Sequence, residues 1–83
     1  MDQATVERIS AAVHDEWMRG KQAKGVSSRK SETGEELMVP YDQLSEGAKD
    51  LDRGSVKAVL LGVEAAGFCL IPDMKGHRAN QER

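Results

Sequence analysis

An 83-residue chain has room for one domain, near the lower size at which a single hydrophobic core suffices. Aromatics are 4% of it, so the core falls to Val, Leu, Ile, Ala and Met, and a core this thin favours pairing with a second copy. Charged residues are 31% with a net charge of −2 and no basic stripe, which disfavours general binding to a DNA or RNA backbone.

Cys69 is the one cysteine, which excludes an intrachain disulfide and a zinc site built on several thiolates. No apolar run approaches the ~18–20 residues of a membrane span, and no secretory h-region is present. The expectation is a soluble cytoplasmic protein without membrane contact, cofactor or metal.

In chain order, a helix is predicted over residues 3–19, with Asp2 as N-cap and Arg19-Gly20 as its stop. Val6, Ile9, Val13 and Trp17 recur at helical spacing and form its apolar stripe, with His14 at the edge beside Ser10 and Met18. Residues 21–36 are polar and aperiodic, which predicts a mobile surface loop with a two-stranded ribbon at its base. Lys24, Arg29 and Lys30 are its solvated charges. Leu37-Met38-Val39 resumes apolar character, and Pro40 sets the turn that places Tyr41. Ser45 caps a short helical turn over residues 46–51. Asp52 then caps a last helix with the stripe Val56, Val59, Leu60 and Val63, closed by Gly67 at C′. Phe68 to Ile71 read as a strand against the core, with Cys69 a small buried hydrophobe and Pro72 the stop. The sum is a single α+β domain over residues 1–72, dominated by helix, followed by a polar C-terminal tail, residues 73–83. His77 falls in that tail, far from His14, which leaves a metal site without support.

Four residues stand out as candidates for function. Trp17 continues the core stripe, yet an indole at a helix end also offers a face on which a base or a cation stacks. His14 either donates to a ligand or bonds a backbone carbonyl of the neighbouring loop. Arg53, at the start of the last predicted helix, opposes the helix dipole. It requires compensation from an acidic neighbour such as Asp50 or Asp52, or from a bound anion. Tyr41 packs its ring while its hydroxyl seeks a polar partner. No nucleophile elbow, purposeful carboxylate pair or phosphate-cradling glycine loop is present, which argues against an enzyme.

The order His14-x-x-Trp17, Gly25, Pro40-Tyr41-x-x-Leu44, Lys49, Asp52-Arg53 and Gly67-Phe68 resembles the ryanodine-receptor repeat domain (the RyR domain) over residues 6–71. The chain departs from that pattern at Val26, where the family usually carries Trp, and at Ser28-Arg29, where an aromatic-glycine pair often follows. The resemblance implies two antiparallel helices with a short helical turn and a small β element. It also implies a stand-alone bacterial, phage or prophage form of a repeat that packs elsewhere as pseudo-twofold pairs and accommodates adenine nucleotides. The leading expectation is therefore a non-enzymatic module for a nucleotide-derived ligand, a sensor or sequestering protein. Trp17 would stack the base, Arg53 would meet phosphate, and His14 and Tyr41 would add polar contacts. The alternative is a structural or protein-interaction module with no small ligand. A homodimer is expected in either case, with Leu61 and its neighbours at the contact.

Overall fold

The computed structural model describes residues 1–73, so nearly all of the expected tail, His77 included, lies outside the described residues. Two long helices, α1 (Gln3–Ala23) and α2 (Glu46–Ala65), are joined by a loop that ends in a 3-10 turn, Tyr41–Gln43. Trp17 near the end of α1 shares a groove with Ala48 and Leu51 of α2, while Met1 and Thr5 share another with Leu60 and Glu64. The helices therefore run antiparallel.

Asp2 caps α1 as its sequence position dictates, its Oδ1 accepting the Thr5 N–H at 2.9 Å. The helix passes through Gly20 and stops instead at Gly25, whose φ of +81° permits the left-handed turn that closes it. There the Val26 N–H reaches the Lys21 carbonyl and the Gly25 N–H the Gln22 carbonyl, both at 3.0 Å. A glycine inside a helix costs only ~1 kcal/mol, so Gly20 weakens α1 without ending it.

α2 is one helix where a short turn and a separate last helix were expected. Ser45 caps it, accepting the Ala48 N–H at 3.1 Å, and Asp52 lies in its interior, so Asp52 is not an N-cap. Glu35 reinforces this start by accepting the Ser45 N–H at 2.8 Å and the Ser45 hydroxyl at 2.7 Å. Gly67, at φ +98°, closes α2 where the sequence places it, with the Phe68 N–H on the Val63 carbonyl at 3.1 Å.

The β element is reduced to a single antiparallel bridge between Lys30 and Glu36, with no sheet among the described residues. Phe68 to Ile71 form no strand and Cys69 is exposed, because no described segment offers this stretch a partner edge. Polar contacts tie down the 27–38 loop. The Glu36 carboxylate accepts the Arg29 N–H at 2.7 Å, the Met38 N–H at 3.0 Å and the Ser28 hydroxyl, which together pull its pKa down to about 2.

Val6, Tyr41, Leu44 and Val56 are the buried apolar residues, and Ser10 and His14 are buried with them. The inward face of α1 is thus Val6–Ser10–His14, not the expected Val6–Ile9–Val13–Trp17 stripe, and Val13 is 53% exposed. α2 shows the same offset: Val56 is buried while Val59 is 65% exposed. Both helices are turned toward a seam that is partly polar.

Candidate functional site

The seam between the helices has two ends. At one, α1 supplies Glu7, the 3-10 turn supplies Tyr41, and α2 supplies Glu46, Asp50 and Arg53. Arg53 lies two turns inside α2 rather than at a helix start, with its side chain 14% exposed. Its Nε donates to Glu7, its Nη1 to Asp50 at 2.6 Å, and Nη1 and Nη2 to Glu46 at 3.2 Å each. The Tyr41 hydroxyl donates to the other Glu7 oxygen at 3.0 Å. The Arg53 guanidinium holds the Glu7 carboxyl below the usual carboxylate range, with Tyr41 assisting, and Glu7 in turn holds Arg53 above its usual value. Burial first, then the Glu7 contact, pushes the Tyr41 phenol up. Lys49 completes this end, pairing with Glu46 at 3.6 Å and lying 5.6 Å from the Tyr41 ring centroid. Every guanidinium nitrogen of Arg53 is on a carboxylate, so this end is closed to an anion.

At the other end lies a groove of about 330 Å³. Trp17 and His14 of α1, Leu37 of the loop, Leu44, and Leu51 and Asp52 of α2 form most of its wall. His14 Nε2 lies 2.7 Å from the Val39 carbonyl oxygen, which can only accept, so Nε2 carries a proton. That bond fixes the ring and turns Nδ1 toward Asp52 Oδ2, 3.7 Å away. The His14 ring lies 5.5 Å from Trp17 and 6.2 Å from Tyr41, centroid to centroid, and so connects the groove to the closed end. Asp52 accepts no hydrogen bond among the described residues. Its burial raises its pKa, and His14 offsets only part of that shift.

The structure therefore sorts the four candidate residues into pairs. Trp17 and His14 line the groove, whereas Tyr41 and Arg53 meet through Glu7 at the closed end. Of the two acidic neighbours considered for Arg53, Asp50 pairs with it and Asp52 faces His14 instead. Glu7 and the groove role of Asp52 escape an analysis based on apolar periodicity. A visible signal does exist, since Glu7, Ser10, His14 and Trp17 recur at spacings of three, four and three along one helical face.

Among the described residues no group of His, Cys, Asp or Glu is arranged to hold a metal ion, and no helix is long and apolar enough to cross a membrane. Comparison with curated proteins and with solved structures gives no match. A family model, that of the RyR domain, matches residues 1–72. The residues that carry the family pattern meet at this seam or end a helix: His14 beside Trp17, Tyr41 under Lys49, Asp52 facing His14, Arg53 on Glu7, and Gly25 and Gly67 at the two left-handed helix ends. On the extent of that match, the chain belongs to the RyR domain family.

Proposed function

We propose that this chain is a non-enzymatic binding module for a flat, nucleotide-derived small ligand, which it senses or sequesters in the cytoplasm, as expected of a stand-alone bacterial or phage member of the family. The observation that carries this reading is the half-buried Trp17, an indole forming one wall of a groove that also holds His14 and Asp52. An aromatic face costs little to leave partly wet and gains ~1–3 kcal/mol when a base stacks on it. The groove, at about 330 Å³, falls at the small end of ligand sites, large enough for a base and too small to enclose a whole dinucleotide. The His14–Val39 bond holds the ring beside Trp17 in place before a ligand arrives.

The test is a thermal-shift screen of nucleotides, cyclic nucleotides and nucleosides against wild type and Trp17→Leu. A ligand of this site raises the melting temperature of wild type by mass action and leaves the variant unmoved. Equal shifts in both proteins, or none in wild type, would sink the reading.

A second reading, an interaction module without a small ligand, has its own support. α2 leaves Leu51, Val59 and Leu61 more than half exposed, and Ile9, Ala12 and Val13 form an apolar patch on the outer face of α1. A homodimer through α2 is the simplest partner for that surface, and sedimentation as a monomer at high micromolar concentration would count against it.

A further inference from the structure

We infer that the groove recognises the hydrogen-bond-donor edge of its ligand and offers phosphate no Lys or Arg: its occupant is a flat nitrogen heterocycle, neutral or cationic, whose amino group donates to Asp52. This rests on the proposed function and narrows it to a ligand class.

Asp52 is the one ionisable acid on the groove wall, and no Lys or Arg lines the groove. Its side chain is 35% exposed and accepts no hydrogen bond from the described residues; His14 Nδ1 is 3.7 Å away, beyond hydrogen-bond reach. A carboxylate in that state gains from any N–H donor that reaches it, and a charge-assisted bond of this kind is among the strong ones. Leu37, Leu44 and Leu51 add apolar wall, Ser31 and Ser55 add hydroxyls, and the Trp17 face is electron-rich. An amino-bearing ring stacked on Trp17 with its edge toward Asp52 matches both walls.

Phosphate finds no Lys or Arg in the same place. Arg53 follows Asp52 in sequence, but its nitrogens are committed to Glu7, Glu46 and Asp50. Lys49 is held between Glu46 and the Tyr41 ring. An anion entering the groove would therefore meet Asp52 without a free cation on the wall. A nucleotide bound here keeps its phosphates outside, in water.

The experiment is calorimetric titration of wild type, Asp52→Asn and Asp52→Leu. The probes are adenosine beside purine riboside, which lacks the amino group, cytidine beside the pyrimidin-2-one riboside, and adenosine monophosphate. Melting curves of each variant establish that it is folded; Asp52→Asn keeps the shape of the side chain if Asp52→Leu does not fold. At least one amino nucleoside is expected to bind wild type tenfold or more tightly than its partner lacking the amino group. The monophosphate should bind no more tightly than adenosine, and the amino preference should shrink in both Asp52 variants. A monophosphate that binds tenfold more tightly than adenosine, or an amino preference that survives both variants, would overturn the inference while leaving the groove a nucleotide site. If no probe binds wild type, the inference and the ligand reading fall together.

Discussion

Glu7 and Asp52 face the same seam from opposite helices, and their surroundings drive them in opposite directions. Glu7 accepts from Arg53 and Tyr41, so folding favours its charged form and its pKa falls. Asp52 is partly buried without a donor, so folding disfavours its charge and its pKa rises. The contrast separates two uses of a half-buried acid. One end of the seam has its polar groups paired within the chain and acts as a staple. The other holds an acceptor with unused capacity beside an aromatic wall, which is what a binding site requires and a staple does not.

The variant expected to do most damage breaks both ends at once. Leu44 is 6% exposed, follows the 3-10 turn that carries Tyr41, and also lines the Trp17 groove. Leu44→Ala should cost ~2–5 kcal/mol, a large part of the stability of so small a domain. Chemical denaturation checks this. A loss below ~1 kcal/mol would mean that the two ends do not share a core.

Arg53→Met comes next, and it acts on the closed end alone. It leaves Glu7, Glu46 and Asp50 facing one another without their shared cation, so the melting temperature should fall clearly while the residues of the Trp17 groove are untouched. In a cycle with Glu7→Gln the two losses should be strongly non-additive, because each removes the same pair. Additive losses would show that the staple is not a unit. Tyr41→Phe tests the same end more gently. It keeps the buried ring, removes the bond to Glu7, and should cost about 1 kcal/mol, the net value of an ordinary hydrogen bond.

The closed end and the groove were not equally legible in the sequence. Helix ends could be read where one residue controls the geometry: Asp2 as a cap, Ser45 as a cap, Gly67 as the left-handed stop. Trp17 and His14 could be singled out because an aromatic and a titratable ring three residues apart share a helical face. Hidden from periodicity was the inward face of α1, since Ser10 and His14 occupy positions where hydrophobicity alone puts Ile9 and Val13. A polar seam has no apolar period to betray it. The unbroken α2 was hidden for a related reason. Asp52 is a sound N-cap by residue type, and only tertiary partners at Glu7 and His14 explain why it and Arg53 sit inside a helix. The loop's anchors, Glu35 and Glu36, are not visible in composition, which counts carboxylates bonded to backbone N–H groups as solvated charge.

The smallest expected effect is also the sharpest test of the contrast, because it depends on sign. Glu7, Glu35 and Glu36 have pKa values lowered by their hydrogen bonds, Glu36 to about 2. Their stabilisation is fully present above the unfolded carboxylate value of ~4.3 and is lost as pH falls through the folded values. Wild type should therefore lose stability on acidification below about pH 4.5. Asp52 runs the other way. Its folded form binds a proton more readily than its unfolded form, so its ionised state weakens the fold at neutral pH, and that penalty fades as pH falls through the raised pKa. Asp52→Asn removes the charge and should raise the unfolding free energy at pH 7, by less than ~1 kcal/mol because the partly exposed side chain is screened by water. The gain over wild type should then shrink toward zero on acidification, as the wild-type carboxyl takes up its proton. A variant less stable than wild type at pH 7 would mean that the attraction between Asp52 and His14 outweighs burial, and that the groove acid belongs to the staple after all.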